Sequence, residues 1–81
     1  MSEQEKQLIK KIADFILVKT MNSRTNEVEY GTVAKFMNVP IEKVRTAAIR
    51  VCQYLINNAN VEDVDIQDGC IFDVMLKRRT V

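Results

Sequence analysis

Residues 30–57 read Tyr30-Gly-Thr-Val-Ala-Lys-Phe-Met-Asn-Val-Pro-Ile-Glu-Lys-Val-Arg-Thr-Ala-Ala-Ile-Arg-Val-Cys-Gln-Tyr-Leu-Ile-Asn57. Their periodicity describes a short helix, a tight break and a longer helix. Val33, Ala34 and Met37 stand at i, i+1 and i+4, one helical face. Pro40 sets the break, because the residue before a proline avoids the α region and Val39 is held extended. Asn38 tolerates positive φ and can close the first helix where glycine is more usual. From Ile41 onward Val44, Ala47, Ala48, Val51 and Leu55 fall on one stripe, with Glu42, Lys43, Thr46, Arg50 and Gln53 opposite. The small Ala34 and Ala47 let the two helices cross closely. The spacing predicts helices over Thr32–Phe36 and Ile41–Asn57, with Thr32 a candidate cap for the first.

On the N-terminal side, Ser2 and Glu5 have capping-box spacing and start a helix predicted over Ser2–Lys19. Leu8, Ile9, Ile12, Phe15 and Ile16 form its core stripe, with Lys6, Lys10 and Asp14 opposite. Leu17, Val18 and Met21 widen the apolar arc, which reads as further core or as a contact between subunits. Met21 to Asn26 is a loop by composition, and Glu27-Val28-Glu29-Tyr30 alternates like a short strand.

On the C-terminal side, Asn57-Asn58-Ala59-Asn60 ends the long helix, and Val61–Leu76 reads as a hairpin around Asp68-Gly69. A two-residue loop sets Val64 opposite Asp73. A three-residue loop, Gln67-Asp68-Gly69, sets Val64 opposite Phe72 and Ile66 opposite Cys70. The second collects Val64, Ile66, Cys70, Phe72 and Val74 on one buried face, so it is the predicted register, with Gly69 left-handed in a bulge. Ile71 and Met75 then fall on the solvent side.

The order helix, short strand, helix, helix, hairpin resembles the winged helix-turn-helix superfamily of DNA-binding regulators. The residues carrying the likeness are Ala34 inside the first helix of the pair, Val39 after the turn, Val44 and Ala47 inside the second, and the Asp68-Gly69 hairpin as the wing. Asn38 stands where glycine is commonest, and Pro40 where a Ser or Thr cap is usual. The resemblance covers nearly the whole chain. It implies a mixed α/β, mainly α, single domain over residues 1–81 whose long helix enters the major groove of double-stranded DNA, most often as a homodimer.

Totals narrow the function classes. Eighty-one residues, 47% hydrophobic and 28% charged, suit one small ordered domain. A net charge of +1 means that any nucleic-acid contact needs its cations gathered on one face. No stretch approaches a membrane span, and the polar start is unlike a signal peptide, so the expected location is cytoplasmic. The chain has no histidine, and Cys52 and Cys70 lack CxxC spacing. They read as two buried free thiols, and neither a metal nor another cofactor is expected. Without a histidine, a phosphate loop or a nucleophile elbow, the chain is not expected to be an enzyme.

For DNA, the expected groove-facing residues are Glu42, Lys43, Arg45, Thr46, Ile49 and Arg50. Lys35, Lys43, Lys77, Arg78 and Arg79 are the expected phosphate contacts. Against this stand Glu62, Asp63, Asp65, Asp68 and Asp73, a wing of the sign that phosphate repels. The alternative is a winged-helix adaptor or inhibitor that binds a protein of a transcription or replication complex through the acidic hairpin.

Overall fold

A computed structural model describes residues 2–23 and 25–77. It holds helix α1 (Glu3–Asn22), strand β1 (Glu27–Glu29), helices α2 (Tyr30–Met37) and α3 (Ile41–Asn58), and strands β2 (Val61–Gln67) and β3 (Ile71–Leu76). The three strands make one antiparallel sheet in the order β1-β3-β2. The three helices pack beside it, with α1 and α2 both against α3. The chain is therefore a small mixed α/β fold.

Helix α1 begins as its cap dictates, with Ser2 Oγ accepting from the Glu5 N–H at 3.2 Å. It runs three residues past Lys19 because Thr20 is buried, so its last turn lies on the core. Ile9, Ile12, Ala13 and Ile16 face inward, while Leu8, Phe15 and Leu17 are half-buried and Val18 and Met21 are exposed.

The break between α2 and α3 follows the local chemistry of its three residues. Asn38 is left-handed, φ 56° and ψ 48°, and its N–H and that of Val39 reach back to carbonyls of α2. Pro40 is the extended N-cap of α3 at φ −62°. Asn38→Ala is expected to cost about 1 kcal/mol in urea unfolding, and Asn38→Gly nothing. Equal stability of all three proteins would contradict the left-handed cap.

Helix α2 starts earlier than periodicity suggests. Tyr30 is its first residue rather than the end of a strand, and Thr32 lies inside it as an exposed residue instead of capping it. Tyr30 is 1% exposed and meets Phe72 with ring centroids 4.6 Å apart. Burying that ring on the sheet outweighs its strand propensity.

The hairpin register differs from the predicted one by two residues. Ile66 pairs with Phe72 and Val64 with Val74, so the connection is Asp68-Gly69-Cys70 rather than Gln67-Asp68-Gly69. Asp68 and Gly69 both have positive φ, 54° and 66°, and the Cys70 N–H closes the turn on Gln67 O at 3.0 Å. The ladder's register shift falls not at Gly69 but between Val61 and Asp63. A slip of two leaves every side chain on its original face, so Val64, Phe72 and Val74 are still buried and Ile66 half-buried. Along the other side of β3, β1 pairs with Val28 opposite Phe72. Tyr30 N–H then donates to Cys70 O at 2.9 Å.

Candidate nucleic-acid interface

Helix α3 separates its residues cleanly. Val44, Ala48, Val51, Cys52 and Leu55 are buried, and Ala47 is half-buried. At 100° per residue the opposite side carries Glu42, Lys43, Arg45, Thr46, Ile49, Arg50 and Gln53, all exposed. Thr46 lies near the centre of that stripe. Arg50 and Lys43 flank it toward α1, and Arg45 and Ile49 flank it on the other side.

Both guanidinium groups are held by carboxylates. Arg45 pairs with Glu42 one turn back. Arg50 reaches Glu5 of α1 at 3.5 Å. The partners are 51% and 69% exposed in the first pair, and 52% and 60% in the second. Pairs so open to water contribute at most about 1 kcal/mol each, so a phosphate or a base edge can replace either carboxylate. Thr46 Oγ1 donates to Glu42 O at 2.8 Å, so its hydroxyl proton is committed to the helix backbone and its oxygen can still accept. Ile49 is 66% exposed on the flank of this stripe away from α1. A groove of about 470 Å³ runs along the α1 flank of the stripe, lined by Glu5, Leu8, Ile9, Glu42, Lys43, Thr46, Ala47 and Arg50.

Six of the expected contact residues thus share the exposed side of α3. Lys35 is exposed on α2, and Lys77 is exposed just after β3. Arg78 and Arg79 lie outside the described residues. Sequence reasoning did not find Glu5 as the partner of Arg50. The two are 45 positions apart, and only the packing of α1 on α3 brings them together.

The solvent side of the sheet has the opposite sign. Asp65 and Glu27 both stand directly opposite Asp73, and Glu29 and Asp63 lie on the same side. Like charges directly opposite destabilise a sheet. Gln67 Nε2 offsets part of this by donating to Asp73 Oδ2 at 2.7 Å. Asp63 and Asp65 each accept the next residue's N–H at 2.9 Å, on a strand at the edge of the sheet. Charged side chains satisfying edge N–H groups discourage another strand from adding there. Among the described residues no ion pair involves these carboxylates, and no group of three or more His, Cys, Asp or Glu is placed to hold a metal ion. Met75, on the same side, is 53% exposed, whereas Ile71 is half-buried.

The two thiols differ, contrary to the expectation that both are buried. Cys52 is buried, and Cys70 is half-exposed at the hairpin turn. Desolvation first, and the charges of Asp65 and Asp63 after it, push the Cys52 thiol from its usual 9.0 up to about 11. Cys70 is expected to react with a thiol reagent in the native protein, and Cys52 only after unfolding. The raised value also has a sign for stability. The unfolded chain ionises this thiol first, so the contribution is complete below pH 9.0 and is lost as pH climbs toward about 11. Unfolding titrations across that range check the decline, and Cys52→Ala should flatten part of it.

Comparison with protein families, curated proteins and solved structures finds no match to this chain. Among the described residues, no helix is long and apolar enough to cross a membrane.

Proposed function

We propose that this protein is a winged helix-turn-helix module that binds double-stranded DNA through α3, as a small cytoplasmic transcriptional regulator acting as a homodimer. The observation that carries the reading is the exposed side of α3. It gathers Lys43, Arg45, Thr46, Ile49 and Arg50 on one uninterrupted helix of 18 residues, about 27 Å long. A helix fits the major groove, where an arginine can donate to guanine and a threonine or isoleucine can meet a thymine methyl. The tight α2–α3 turn at Asn38–Pro40 and the antiparallel hairpin support the fold half of the proposal. The acidic side of the sheet argues that the hairpin strands lie away from phosphate, so contact is made through α2, α3 and the basic residues that follow β3.

A mobility-shift titration with mixed-sequence duplex at low salt tests this, together with retention on heparin. If Lys35, Lys43 and one arginine hold phosphates, affinity should fall with a log–log salt slope of about −3 per protomer. Absence of any shift at low salt would overturn the reading. The second reading, a protein-binding adaptor, draws on the acidic sheet side and the exposed Met75.

A further inference from the structure

Helices α1 and α2 form an apolar patch that the DNA-binding reading does not use. Phe15 of α1 and Phe36 of α2 stack with centroids 4.3 Å apart and planes 24° apart. Phe36 is 66% exposed and Val18 57%. The stack lines a shallow, open hollow whose other apolar residues are Val18 and Met37. Exposed apolar clusters of this kind on a small domain mark contact sites. Turning α1 about its axis cannot bury Val18. At 100° per residue it lies half a turn from Ile9 and Ile16, so rotating it inward would expose residues that are 6% and 0% accessible.

Charge identifies the occupant. The rim of the hollow holds one cation, Lys11, and one anion, Asp14. The rim is therefore neutral, unlike the cationic stripe on α3 and the acidic sheet side. Nucleic acid or an anionic membrane would meet Asp14 without any surplus of positive charge, and a strongly charged protein would find nothing to balance it. A second copy brings the same rim, one charge of each sign, so the contact is self-complementary. The patch is apolar at its centre and carries both signs of charge at its rim, so it can face its own copy across a two-fold axis. We propose that this α1–α2 patch is the two-fold contact between two copies of the chain, centred on Phe15, Val18 and Phe36. It is not the Leu17 side of α1, because Leu17 packs toward the core.

The proposal specifies the homodimer named above, and it is tested without DNA so that its failure and that of DNA binding remain distinguishable. Sedimentation equilibrium of the full chain over a wide concentration range should show mass rising from one chain to two and no further. Phe36→Glu and Val18→Glu, both at exposed positions, should each raise the dimer Kd at least about thirtyfold, the size of a hot-spot loss. Their thermal unfolding, corrected for the lost association, should be little changed. Asp14→Lys makes the rim doubly positive and should weaken pairing at low salt, with recovery as salt screens the repulsion. Met75→Glu, on the sheet, should leave the dimer intact. A monomer at every concentration, growth beyond two chains, or a dimer that survives both Phe36→Glu and Val18→Glu would overturn the proposal. So would a dimer that only Met75→Glu disrupts.

Discussion

Phe72→Ala is expected to destabilise the fold by about 3–5 kcal/mol, the cost of deleting a buried aromatic ring whose surroundings cannot collapse. Phe72 is fully buried and lies on β3, the central strand of the sheet. Val28 pairs with it from one side and Ile66 from the other. Tyr30, the first residue of α2, meets its ring at 4.6 Å. The cavity would therefore be bounded by all three strands and one helix, which are tied to each other by backbone hydrogen bonds and cannot close in. A domain of this length has about 4–12 kcal/mol to lose, at roughly 0.05–0.15 per residue. The variant should retain at most a fraction of that. Urea unfolding followed by circular dichroism should show a much lower midpoint with the slope unchanged. Phe36→Ala removes the same atoms from an exposed site and should cost far less. A Phe72→Ala cost below about 1 kcal/mol would mean that the core is not organised around this ring.

Arg45→Ala or Arg50→Ala should cost DNA affinity about 1–3 kcal/mol if that arginine reads a base, and should relax preference at one position. The two flank Thr46 on different sides of the α3 stripe, so one can read a base edge while the other holds a phosphate. Each is already paired with an exposed carboxylate, Glu42 or Glu5, that DNA must displace. Glu5→Gln should therefore tighten binding to every duplex, and the gain should shrink in the Arg50→Ala background. Arg78→Ala should weaken all sequences alike and lower the salt slope by about one. Asp68→Asn should leave binding unchanged or slightly tighter. The assay is a titration of these variants against a selected duplex at two salt concentrations. If neither helix arginine matters while Met75→Asp abolishes a biological activity, DNA is the wrong partner and the acidic sheet side is the working surface.

Much of this architecture is local, and the sequence by itself determined that part. Ser2 starts α1, Asn38 and Pro40 turn the chain between α2 and α3, and the alternation of Val64, Ile66, Phe72 and Val74 decides which face of the hairpin is buried. Capping, proline geometry and hydrophobic period act over a few residues, so they can be read without knowing what lies opposite. The division of α3 into a buried and a charged side is legible for the same reason. Tertiary structure alone decided what depends on distant partners. The third strand of the sheet is one case. Alternation in the hairpin specifies its buried face but not what pairs beyond β3, and β1 and the Tyr30 N–H supply that from more than 30 residues away. Tyr30 itself changes from strand to helix because Phe72 is there to cover its ring. The apolar patch is another case, since α1 alone suggests Leu17, Val18 and Met21, but Phe36 joins only when α2 packs beside it. The Glu5–Arg50 pair forms only because α1 crosses α3 where it does. In each, the deciding interaction closes a long loop, and no short window of sequence contains both of its ends.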